Sequence, residues 1–136
     1  MKALEVALQA KLVADTGTGG LMTLISGGVH NTALPDPAVY PYVVYQRVAG
    51  NDAYTFTLRI NSAYLYQIRV VGQGLNKGAL EDALDRIDVL LTRQALSITG
   101  KATWIVQREG DIPDSVEFLG DQPYMQVGAT YRIEVS

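Results

Sequence analysis

The chain has 136 residues, about the size of one domain, and contains no cysteine, which excludes disulfides, thiolate zinc sites and a cysteine nucleophile. Charged residues are 18% of the chain, below the roughly 25% of soluble domains, and this shortage means either an unusual core or, the favoured reading, surface hidden in an oligomer. The net charge of −3, from 11 basic and 14 acidic residues, argues against a protein held on nucleic acid by phosphate contacts, though not against one through which DNA merely passes.

No apolar run approaches the roughly 18 residues that a membrane span needs. Met1-Lys2-Ala3-Leu4-Glu5 places an acid within what would be the apolar stretch of a signal peptide. The chain is therefore expected to be made and kept in a cytoplasm, or to leave by cell lysis.

Leu4, Leu8 and Leu12 recur four residues apart and predict a helix over 2–14, with alanines at 3, 7, 10 and 14 suited to close packing. Asp15-Thr16-Gly17-Thr18-Gly19-Gly20 ends it. Leu21 to Ile25 has room for one further helical turn, stopped by Gly27-Gly28. Pro35, Pro37 and Pro41 mark 31–41 as an extended loop. Tyr42 to Val48 alternates as a strand, Gly50-Asn51-Asp52 reads as a turn, and Tyr54, Phe56, Leu58 and Ile60 give one apolar strand face. Tyr64 to Val71 continues as strand. Leu80, Leu84, Ile87 and Leu91 predict a helix over 79–93, with Asp82 placed to pair with Arg86 four residues on. A strand is expected around Trp104, an acidic loop over 109–123 with a short strand at Val116 to Leu119, and a last strand from Met125 to Val135.

These elements predict one α+β domain over 1–136. It is a single, mostly antiparallel β-sheet with two main helices packed on one face and a long protruding β-hairpin.

No catalytic, cofactor or metal site stands out. Gly72-Gln73-Gly74-Leu75-Asn76-Lys77-Gly78 joins a strand to a helix, but its spacing misses the dinucleotide fingerprint by one residue, and no Ser or Thr follows Lys77 as a P-loop requires. In Asp15–Gly20 the glycines end a helix, whereas a phosphate cradle needs a helix to follow. His30 has no partner at a recognisable spacing. The serines lack a nucleophile elbow. Glu109, Asp111, Asp114, Glu117 and Asp121 form the densest acidic stretch, without the spacing of a calcium loop. They read either as a solvated loop or as an acidic surface facing a channel or a partner. Tyr40, Tyr42, Tyr45, Tyr54, Tyr64 and Tyr66 suit either a tyrosine-rich sheet face or an intersubunit surface.

Several segments together resemble one family. They are the N-terminal helix ending in Asp15, the run Tyr40-Pro41-Tyr42-Val43-Val44-Tyr45-Gln46-Arg47-Val48, the hairpin ending in Tyr66-Gln67-Ile68-Arg69-Val70-Val71, the helix Ala79 to Leu91, and the closing Tyr131-Arg132-Ile133-Glu134-Val135. In this order they are similar to the tail-completion or tail-terminator proteins of long-tailed bacteriophages. The resemblance implies a non-enzymatic virion protein, made in the host cytoplasm and working as a ring, usually hexameric. Its implied partners are copies of itself, the tail tube protein and the head–tail connector, with DNA passing through unbound and no membrane contact. On this view the hairpin residues Asn51, Tyr54, Phe56, Leu58, Arg59, Asn61 and Tyr64 reach a neighbouring subunit. Glu109, Asp111, Asp114, Glu117 and Asp121, or the Glu81/Asp85/Asp88 helix face, line a lumen or meet a partner. The alternatives are another neck or head-completion protein, or a small dimeric α+β ligand-binding module or enzyme.

Overall fold

A computed structural model describes residues 2–34, 37–54, 59–94, 96, 98 and 103–135, with the backbone alone for 51–54, 59–61 and 103–105. Helices α1 (Lys2–Val13) and α2 (Leu21–Leu24) precede strands β1 (Val29–Asn31), β2 (Tyr42–Tyr54) and β3 (Arg59–Gln73). Helix α3 (Lys77–Leu91) then leads to β4 (Thr103–Leu119) and β5 (Gln122–Val135). The five strands form one sheet in the order β1-β2-β3-β5-β4, and only the β1–β2 pairing is parallel.

The helices exist because they bury one stripe each. Helix α1 buries Leu4, Ala7, Leu8 and Leu12, and α3 buries Leu80, Ala83, Leu84, Ile87 and Leu91. They meet a sheet face built from Val43 and Tyr45 of β2, Tyr66, Ile68 and Val70 of β3, Val106 of β4, and Val127, Ala129, Tyr131, Ile133 and Val135 of β5. Asn76 starts α3 by accepting the Ala79 N–H at 3.3 Å, which satisfies one of the orphan donors of a helix N-terminus. The glycine at 72 lets α3 close on the sheet, since a Cβ there would stand 2.6 Å from Leu80 Cδ2.

Four expectations are corrected. Strand β2 runs straight through Gly50-Asn51-Asp52 to Tyr54, where a turn was expected. The glycine belongs there because the Tyr64 ring packs across it, with Cδ1 only 3.1 Å from where a Cβ would sit. The apolar positions Phe56 and Leu58 lie outside the described residues. Second, 109–115 is strand rather than acidic loop and runs on into the strand expected at Val116 to Leu119, so that the whole forms the long arm of the β4–β5 hairpin. Register shifts at Arg108/Gly110 and Ile112/Ser115 break its alternation, which is why it did not read as strand. Its two-residue turn, Gly120-Asp121, uses a positive φ of 65° at the glycine. Third, Val29–Asn31 forms β1, where no strand was expected, and its last residue falls in the expected 31–41 loop. Fourth, Arg86 pairs with Asp15 and not with Asp82.

That Asp15–Arg86 pair ties the α1–α2 junction to α3. The guanidinium donates through Nε and Nη2 to the two carboxylate oxygens at 2.6 and 2.8 Å. The same carboxylate accepts the Leu21 N–H at 2.6 Å and so caps α2. Helix α2 does follow the glycines, but its N-terminus is filled by the chain's own anion. Arg86, helped by Leu21, holds the Asp15 carboxyl down at about 2. A carboxylate depressed on folding adds stability above its unfolded pKa and loses it as pH falls through the folded value. Asp15→Asn is therefore expected to cost about 1–2 kcal/mol near neutral pH, after allowance for solvent around the partly exposed guanidinium. The deficit should close between about pH 4 and pH 2 in urea titrations. A deficit that persists undiminished at the acid end would show that charge is not its source.

Candidate assembly surfaces

Apart from its packed face, the sheet offers an open face, two edges and two poles. On the open face, Arg69 Nη1 donates to Gln126 Oε1 at 3.3 Å, and Gln126 Nε2 donates to Ser115 Oγ at 2.6 Å. Beside this ladder Arg132 Nε stands 2.9 Å from Glu109 Oε1. The face is polar and tied together across β3, β5 and β4.

The acidic residues expected to act together are spread along β4 and its turn, and three of the five are neutralised. Glu109 pairs with Arg132, Asp111 with Arg108, and Asp114 with Lys77 at 2.6 Å. Hydrogen bonding to Asp114 also raises the Lys77 pKa. Among the described residues Glu117 and Asp121 have no ion pair. On α3, Glu81 shares Lys77 at 3.5 Å, and Asp88 lies 3.8 Å from Arg108.

The tyrosines divide. Tyr45, Tyr66 and Tyr131 are buried within the single chain, where their hydroxyls donate to Gln9 (2.9 Å), Glu5 (3.2 Å) and Asp88 (3.0 Å). Burial pushes Tyr45 up to about 12 and raises Tyr66 and Tyr131 further, with nearby carboxylates adding to the shift. These three serve the core. Tyr40, by contrast, packs against Tyr42 and Tyr124 at 5.3 and 5.1 Å, at the pole shared with the β4–β5 turn. Of the hairpin residues, Asn51 and Tyr54 lie on β2, and Arg59 and Asn61 on β3. Tyr64 is half-buried, with Arg47 Cζ 5.8 Å from its ring centroid. Beyond Ser62, which pairs with Val135, β3 continues beside β2 through Asn61 and Arg59.

Among the described residues, the one histidine singled out in the sequence has a structural partner. His30 Nε2 lies 2.7 Å from the Gly27 carbonyl, a contact that holds the loop before β1. Among the described residues no three His, Cys, Asp or Glu side chains are grouped to hold a metal, and no helix is long and apolar enough to cross a membrane. The loop after β3 leads into α3, but both neighbours of β3 are antiparallel to it, unlike the parallel pair of a dinucleotide fold.

The family model described as tail completion protein gp17 matches residues 6–115 of the 136. The chain belongs to that family. Three of the segments that carried the resemblance, Tyr40–Val48, Tyr66–Val71 and Ala79–Leu91, lie inside the matched span, and Tyr131–Val135 lies beyond it. Among solved structures, a chain from the virion of a native gene transfer agent particle aligns with this tail-completion chain over 98% of its length and 96% of its own. Their TM-score is 0.68 at 18% identity. A second solved chain aligns over 97% of this one and 94% of its own, with a TM-score of 0.54 at 17% identity. At such identities the likeness is one of fold. No curated protein matches the sequence.

Proposed function

We propose that the chain is a structural component of a phage-type virion that closes the end of the tail tube. It does so as a ring of copies, six by the family resemblance, placed between tube and head–tail connector. The family match over residues 6–115 carries this reading. The architecture supports it. The edges β1 and β4 differ, which is compatible with contacts between copies of the head-to-tail kind that closes by rotation. The two hairpins, β2–β3 and β4–β5, turn at opposite poles of the sheet, which suits a ring with different partners above and below.

In this reading Asn51, Tyr54, Phe56, Leu58, Arg59, Asn61 and Tyr64 form a hairpin that reaches a neighbouring subunit. The acidic residues of β4 face a partner rather than the lumen, because Glu109, Asp111 and Asp114 already hold cations. DNA passes through without specific binding. The reading assigns no catalysis, cofactor, metal or membrane contact.

Mixing the purified chain with growing tail tubes is expected to arrest their elongation and to leave a ring at the tube end, visible by negative-stain imaging. Tubes that keep growing past bare ends would overturn the reading.

A further inference from the structure

We infer that the β4–β5 tip of one copy seats in a groove between α1 and β1 of the next, and that this contact closes the ring. The inference rests on the ring reading above.

The tip is apolar and uncovered. Val116, Phe118 and Leu119 are 41%, 64% and 68% exposed at the end of the hairpin. Large apolar side chains grouped in this way mark an interaction site. The groove lies at the opposite edge of the sheet. It measures about 660 Å³ and is lined by Lys2, Val6, Ala10, Val29 and Ala33, among others. Val6 is 60% exposed on its rim.

Charge favours a second copy as the occupant. Glu117 and Asp121 flank the tip and have no ion pair among the described residues. Lys2, exposed on the groove, has none there either, whereas Glu5, the carboxylate among the described lining residues, keeps its charge but is half-buried and held by hydrogen bonds from Tyr66 and Asn31. An apolar knob flanked by two carboxylates thus meets an apolar groove whose exposed rim carries the Lys2 ammonium. Because β1 and β4 are the two ends of one sheet, the knob meets the groove only between copies.

Side-chain insertion fits better than strand addition along β4. Pro113, the register shifts at Arg108/Gly110 and Ile112/Ser115, and the charges at 109, 111 and 114 guard that edge against another strand. Within the last residues, Ser115 to Leu119, Glu117 is the one charge, and the apolar side chains of 116, 118 and 119 dominate.

The chain has no cysteine, so engineered pairs give a clean test. Val6→Cys and Phe118→Cys are made singly and together; both positions are exposed, so the fold tolerates them. Oxidation is carried out on the wild-type-like assembly, alone or on tail tubes. The double variant is expected to form a ladder of covalent multimers ending at the ring's copy number, while each single variant stays monomeric under denaturing electrophoresis. Phe118→Asp is expected to raise the concentration needed for assembly by roughly tenfold or more. Rings that form without a ladder, or Phe118→Cys chains that dimerise with one another, would overturn the inference and leave the ring reading standing. A wild-type chain that forms no ring, even on tubes, would overturn both.

Discussion

Replacing Tyr66 with alanine is expected to cost about 4 kcal/mol of stability. Tyr66 lies on β3, the middle strand of the sheet, and its side chain is wholly buried. Its ring sits 6.4 Å from that of Tyr45, and its hydroxyl donates to Glu5 on α1 at 3.2 Å. Alanine removes the ring that fills the space between sheet and helix and leaves Glu5 with one donor fewer. Phenylalanine keeps the ring and removes only the hydrogen bond, so Tyr66→Phe is expected to cost about 1 kcal/mol. Domains of this kind are stable by about 5–15 kcal/mol, so the alanine variant forfeits a large share of the total. Urea denaturation followed by circular dichroism separates the two variants. Equal losses would mean that the hydroxyl, and not the packed ring, carries the stability.

Gly128→Val is expected to cost about 3 kcal/mol, and Gly128→Ala about 2. Gly128 is buried on β5, between Arg69 of β3 and Ile112 of β4. A Cβ there would stand 2.6 Å from the Ile68 carbonyl, 2.9 Å from Ile112 Cδ1 and 3.0 Å from Arg69 Cγ. The two side chains have room to shift. The carbonyl does not, because it belongs to a strand paired on both sides. Adding Ile112→Ala to Gly128→Ala should therefore restore little of the loss. Full recovery in thermal or urea denaturation would place the limit in the Ile112 side chain instead.

Both effects concern the body of the fold, and Phe118→Asp should leave it intact. That contrast separates residues that hold one copy together from residues proposed to join copies. Loss of assembly with an unchanged unfolding midpoint identifies the second kind.

Much of the architecture was legible in local pattern. The leucines at 4, 8 and 12 and the stripe Leu80-Leu84-Ile87-Leu91 mark α1 and α3, because a helix buried on one side must repeat its apolar residues every three or four positions. The alternation from Met125 to Val135 marks β5 for the matching reason in a strand. The run Tyr40–Val48 and four other segments together carried the family resemblance, which the family match over 6–115 bears out.

What the sequence left open depended on partners distant in the chain. Gly50 reads as a turn until Tyr64, fourteen residues on, is seen to occupy the space a side chain would need. Strand β4 hides its period because its bulges are defined only by pairing with β5. Asp15 reads as the end of a helix, and only folding brings Arg86 to it across 71 residues. The acidic stretch looked uniform, yet tertiary contacts pair three of its five residues with cations. Local periodicity is set by the chain's own geometry, so the sequence by itself determined the helices, the last strand and the family. Pairing across strands and between distant charges exists only once the chain is packed, so the tertiary structure alone decided which turns are turns and which charges remain free.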